Sequence, residues 1–207
     1  MSDWDEFDDA KSKAQRQHRT EQEHESRRVQ RLSERWELEL KLIQAISRKL
    51  GAVELMQRFL DEVIKANNPD TSLNVIVSTT PKPNFRYIEK YTSPCLDVRL
   101  ELGTWQTGGA NDWGTVENYS SAIYISIYTT FVYVGGYHAR GARGTGWSDG
   151  FTISPETESI PLTKFKKVAL VALQHYYPGI YGDHPPPSNS PSPENWLTRV
   201  FKWLISP

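Results

Sequence analysis

The residues best suited to chemistry lie in one glycine-rich stretch. Between Gly135 and Gly150 the chain carries six glycines together with His138, Arg140, Arg143 and Trp147. Glycine-rich turns present backbone amides, arginines present forked donors, and together they can cradle an oxyanion. An indole beside them can stack on a base or sugar. These four residues are therefore the candidate ligand-binding set, for an anionic group such as a phosphate or nucleotide. The stretch lacks the spacing of a phosphate loop and of a dinucleotide fingerprint. Hairpin loops that need glycine for positive φ explain the same composition. A second glycine-rich stretch, 103–114, carries Trp105 and Trp113. In a meander, successive loops leave opposite ends of the sheet, so the two stretches are not expected to share a pocket.

No other spacing implies a reaction. Cys95 is the sole cysteine, which excludes an internal disulfide and reads as buried packing rather than a nucleophile. His18, His24, His175 and His184 have no neighbours at metal-ligand spacing. Asp97 and Glu101 share a strand face without the following lysine that a nuclease set needs. There is no nucleophile elbow and no kinase signature. The expectation is no catalytic residue, no metal and no cofactor, and a protein that leans away from being an enzyme.

The elements that must position these residues follow from periodicity. Leu73, Val75 and Val77 alternate until Pro81 and Pro83. Phe85 to Tyr91 forms a second candidate strand. In the third, Leu96, Val98, Leu100 and Leu102 face inward while Asp97, Arg99 and Glu101 face water. A fourth run, Tyr119 to Val134, is too long for one straight strand and predicts a bulge or bend near Thr129 and Thr130. Phe151 to Ser154 is a fifth. Leu162 to Tyr177 returns to helical spacing and ends at Pro178-Gly179. The fold class is α+β: an antiparallel four- to five-stranded meander with a long N-terminal helix and a second helix on one face. A C-terminal amphipathic helix follows on a Pro-rich linker.

The N-terminal helix is the most regular feature. From Val29 to Ile64 the heptad seam falls on apolar residues except at Glu39 and Gln57, and it includes Trp36 and Ile43. Gly51 predicts a kink. Residues 10–35 hold eight bases and four acids with almost nothing to bury, and predict a solvated, projecting helix. Arg16, Arg19, Arg27, Arg28 and Arg31 there could contact nucleic acid, a reading that a net charge of -1 does not favour. Upstream, Trp4 and Phe7 stand among five acids and would share a face in a helix. Downstream, residues 183–193 contain five prolines and three serines, and Trp196, Leu197, Val200, Phe201 and Leu204 fall on one helical side.

The organisation expected is a charged segment at 1–28, an amphipathic helix at 29–67, an α+β domain at 68–182, a linker at 183–193 and a helix at 194–207. The N-terminus does not read as a secretory signal, no stretch reaches the roughly 20 apolar residues of a membrane span, and a cytoplasmic location is expected. The reading that fits is a protein–protein interaction or adaptor module. It would self-associate as a coiled coil or hold a protein partner through Trp4, Phe7, Trp36, Ile43 and the C-terminal set. Anion or nucleotide binding at 135–150 is the alternative, and membrane binding is not favoured.

Overall fold

The computed structural model describes residues 3–65, 73–106, 118–140, 143–169 and 172. The chain divides into two compact units, one of residues 1–41 with 81–94, the other of residues 42–80 with 95–207. The first helix, α1 (Asp3–Lys49), contributes to both.

In the first unit α1 is exposed along its charged stretch and gains tertiary contacts toward its C-terminal side. Segment 81–94 is not a strand. Pro81, Pro83 and Pro94 remove backbone donors, and residues 85–90 form turns and bends. The segment straps onto α1 instead. Trp36, 2% exposed, meets Phe85 and Tyr91 edge-on at 6.0 and 6.4 Å between ring centroids. Phe85 and Tyr91 stack at 6.3 Å. Arg28 donates to the carbonyls of Phe85 (3.1 Å) and Ile88 (3.3 Å), satisfying backbone that no ladder reaches. Arg35 lies over the Tyr91 ring at 4.3 Å and pairs with Glu39 at 2.7 Å. Tyr91 donates its hydroxyl to the same carboxylate at 3.1 Å. Partial burial pushes the Glu39 carboxyl up, but hydrogen bonds from Arg35, Ser93 and Tyr91 outweigh it and hold it below the usual range.

The second unit is a sheet with helices on one face. After Lys49 the helix breaks at Gly51, whose φ of 62° is left-handed and suits glycine. Helix α2 (Ala52–Phe59) follows and continues as a π-helical turn, Leu60–Lys65. Five strands run β1 (Val75–Thr79), β2 (Leu96–Gln106), β3 (Asn118–Ile127), β4 (Phe131–Arg140) and β5 (Arg143–Thr152). They pair antiparallel in sequence order, so β1 and β5 are the edges. The expected meander is present. Two further strand assignments change. The long run 119–134 is two strands, turning where Tyr128 donates its amide to the Phe131 carbonyl (2.8 Å). The glycine-rich stretch 135–150 is not a loop but the two arms of the β4–β5 hairpin. β2 carries a bulge between Glu101 and Gly103.

Alternation fixes the two faces. Leu96, Val98, Leu100 and Leu102 on β2, Ile123, Ile125 and Ile127 on β3, and Val132 and Val134 on β4 point to the core. There they meet Met56, Phe59, Leu60 and Ile64, and Phe165, Val168 and Ala172 from the third helix, α3 (described at 162–169 and 172). Phe59 and Phe165 pack edge to face at 5.6 Å. Each such large apolar side chain contributes roughly 1.5–3 kcal/mol of transfer free energy. Asp149, on the core side of β5, is answered by Lys164 of α3 at 2.7 Å. That pairing, with local hydrogen bonds, holds the Asp149 carboxyl below its ordinary value.

Trp36→Ala should remove the ring that seats the strap and cost about 3–5 kcal/mol. Urea unfolding and amide exchange over residues 81–94 measure it; unchanged protection of that segment would show that Trp36 does not anchor it.

Candidate functional site

The face of the sheet opposite the helices is built from alternate residues of the same strands. Cross-strand register sets them in transverse rows. One row runs Ser78, Asp97, Ser126, Tyr133, Gly150. The next runs Ile76, Arg99, Tyr124, Gly135, Ser148. Neighbouring strands lie about 4.8 Å apart, and rows on one face roughly 7 Å apart. None of these residues belongs to the hydrophobic core cluster. Ile76 and Tyr133 are 45% and 41% exposed. Ser78, Asp97, Arg99, Tyr124, Ser126 and Tyr137 line a shallow depression of about 390 Å³ on this face.

The rings owe their placement to glycines. The Tyr124 ring lies directly over Gly135, in space a β-carbon there would need. The Phe131 ring covers Gly150 in the same way. A large ring on one strand thus fills the gap left by the residue beside it, an arrangement that pins register and flattens the ring against the sheet. Phe131 and Tyr133 add a second aromatic contact at 4.5 Å, and Tyr128 meets Tyr133 edge-on at 6.0 Å. The face is therefore a platform of tyrosine and phenylalanine rings with Arg99 beside it.

The polar groups on the platform divide into engaged and outward. Asp97 accepts from Ser126 Oγ at 2.5 Å and from Cys95 Sγ at 3.4 Å, both at Oδ1, so that oxygen serves the sheet. Arg99 reaches Glu101 at 3.3 Å, with both side chains about half exposed, a surface pair of little strength. The Tyr124 hydroxyl, the guanidinium and Ser78 give the depression an excess of donors.

Cys95 is buried at the end of this face, its amide donating to Thr80 Oγ1 at 3.1 Å. Burial, followed by the Asp97 charge, pushes its thiol up to about 11. Burial and the neighbouring Cys95 and Asp97 push Tyr128 up to about 12. The thiolate is the nucleophilic form, so Cys95 is a packing residue at neutral pH.

Trp147 pairs with Gly136 on the core side of the hairpin, is half-buried and packs on the core, so it is not an exposed stacking surface. His138 pairs with Thr145, and Arg140 sits opposite Arg143 as the last pair of the hairpin; their side chains lie outside the described residues. Trp36 and Ile43 are 2% and 0% exposed, covered within the chain. Phe7 is 66% exposed on α1; Trp4 lies in the same helix, with its side chain outside the described residues. Trp196, Leu197, Val200, Phe201 and Leu204 all lie outside the described residues. Of the basic residues of α1, Arg19 pairs with Glu23 and Arg28 is committed to Glu25 and the strap. Among the described residues no cluster of His, Cys, Asp or Glu could hold a metal ion, and no helix is long and apolar enough to cross a membrane.

Tyr124 and Tyr137, which line the depression, are not marked by any local pattern in the sequence. The signal was present for part of the face: the water-facing alternation of Asp97 and Arg99 marks the same side. No family model, no curated protein and no solved structure matches this chain.

Native Cys95 should resist iodoacetamide at pH 8, and its alkylation rate should rise with a midpoint near pH 11 instead of the 9 of an unhindered thiol. The folded chain holds this proton more tightly than the unfolded one. Its contribution to stability is thus complete below about pH 9 and lost as pH rises through about 11. Fast labelling of the folded protein at pH 8 would contradict the burial.

Proposed function

We propose that this chain is a protein–protein interaction module whose open sheet face binds an extended, proline-rich segment of a partner. The supporting observation is the aromatic platform. Tyr124 is laid over Gly135, and with Tyr137 and Arg99 it lines a shallow depression on the face opposite the described helices. The face offers rings and donors, and Oδ1 of its carboxylate accepts from Ser126 and Cys95. A matching ligand presents apolar rings and acceptors and few donors of its own. Polyproline II segments have that chemistry: pyrrolidine rings, free carbonyls and no amide hydrogen at each proline. Such ligands dock on aromatic-lined grooves and lose little entropy on binding.

The heptad surface supports partner binding less well than the sheet does. Its best anchors, Trp36 and Ile43, are already covered.

Titration of the full chain with a synthetic proline decamer, to millimolar peptide and followed by NMR, should perturb β2, β3 and β4. A serine–alanine peptide of equal length should not. Tyr124→Ala should weaken binding at least tenfold, a loss of about 1.4 kcal/mol. Gly135→Ala should do the same while leaving both tyrosines in the sequence. A β-carbon there meets the far end of the Tyr124 ring, which can swing away without disturbing the core. Equal affinities in parent and both variants would overturn the site.

A second reading rests on the hairpin. Register sets Arg140 directly opposite Arg143, and like charges so placed destabilise a pair unless an anion joins them. On that reading phosphate or a nucleotide raises the melting temperature of the parent, and Arg140→Ala with Arg143→Ala abolishes the rise. No shift in the parent removes the idea.

A further inference from the structure

We infer that the charged stretch of α1 between residues 5 and 31 docks antiparallel on the same stretch of a second copy of this chain. This surface is separate from the sheet face and lies wholly within the first unit.

Charges run along the helix in blocks. Residues 3–9 hold five acids and no base, 11–19 four bases and no acid, 21–25 three acids and no base, and 27–31 three bases and no acid. Within a block, like charges stand one turn apart, as at Asp5 and Asp9, Glu21 and Glu25, and Arg27 and Arg31. Such spacing is unfavourable in a lone helix. An antiparallel copy reverses the order of the blocks, so each block can meet its opposite. A parallel copy in register sets each block on its like.

The match holds residue by residue on one side of α1. At about 100° per residue, Asp5, Asp9, Lys13, Glu23, Arg27 and Arg31 all fall within about 40° of one line along the helix. The last five of them are exposed. Trp36, which seats the strap, lies nine residues beyond Arg27, about two and a half turns, and hence on the opposite side of α1. A two-fold axis at the level of residue 18 sets Asp5 opposite Arg31, Asp9 opposite Arg27 and Lys13 opposite Glu23, and symmetry forms each pair twice. Glu23 holds Arg19 of its own helix at 3.3 Å, yet its side chain stays 55% exposed. A nucleic-acid backbone fits the same stripe less well, because Asp9 and Glu23 would face its phosphates.

Size sets the strength. The stripe is roughly 39 Å long at 1.5 Å per residue. With a width of about 10 Å, two copies bury about 800 Å² in total, below the roughly 1,200 Å² of stable interfaces. The dimer is therefore weak and reversible. Its pairs are exposed, so salt screens them.

Sedimentation equilibrium of the full chain from about 1 μM to about 1 mM tests this over the range of weak complexes. The parent should dimerise in low salt, and raising salt to about 0.5 M should weaken the dimer at least about tenfold. Asp5→Lys with Asp9→Lys sets lysines against arginines, and Arg27→Glu with Arg31→Glu sets acids against acids. Each double variant alone should associate at least about tenfold more weakly than the parent. Mixed in equal amounts, the two should form a heterodimer as tight as the parent dimer, because both ends again join opposite charges. Unfolded variants could not give that rescue, and far-UV circular dichroism checks each fold. A parent that stays monomeric at about 1 mM in low salt would overturn the docking. So would variants that associate like the parent, or a mixture that stays monomeric. Salt-sensitive binding of a uridine oligomer by a monomeric parent would overturn it in favour of a phosphate backbone.

Discussion

The packing of α2, its π-helical continuation and α3 against one side of the meander is the constraint on which the remainder depends. Antiparallel strands place successive side chains on opposite faces, so committing one strand residue to the core is not a local choice. Once Val98, Leu100, Ile123, Ile125 and Val134 are sealed against Met56, Phe59 and Phe165, every intervening residue is sent to the other side. A slip of one residue anywhere would invert the arrangement. The aromatic platform is therefore a by-product of the core in its position, though not in its chemistry. Its chemistry depends on which residues fill the positions that the core leaves over.

Those positions are filled in an unusual way. Glycines at 135 and 150 surrender side chains, and rings from neighbouring strands take the vacated space. A glycine within a strand is normally a weakness. Here the lost contacts are recovered by an aromatic neighbour, and the ring gains a fixed orientation. On the other face Gly136 does the reverse service: Trp147 and Val168 crowd the point where its β-carbon would lie. The two consecutive glycines thus let one large ring approach the backbone from each side of the sheet.

How much of this could be read from sequence depends on locality. The β2 strand was legible because Leu96, Val98, Leu100 and Leu102 repeat at period two within one short run. The α+β meander followed from such runs and from helical spacing at both sides of them. β4 was not legible beyond Val134, because Gly135-Gly136-Tyr137-His138 has no apolar alternation. What fills its core side is Trp147, supplied by another strand. Phe85 to Tyr91 mimicked a strand, yet its aromatics are spent on Trp36 and its carbonyls on Arg28. The site was half visible. Asp97 and Arg99 were marked as water-facing by β2 itself. Tyr124 and Tyr137 join them only through the cross-strand register, which no single stretch of chain encodes.

The short edge strand has a consequence of a different kind. Among the described residues β1 pairs on one flank only, and its Ile76 and Val77 are 45% and 50% exposed. An open flank with apolar residues is a template on which further chains could line up. This one is five residues long, and Pro81 and Pro83 follow it almost at once. Neither proline can donate to an incoming backbone, so a foreign strand would find a ladder of very few rungs. The same prolines that end the strand thereby help keep it from polymerising.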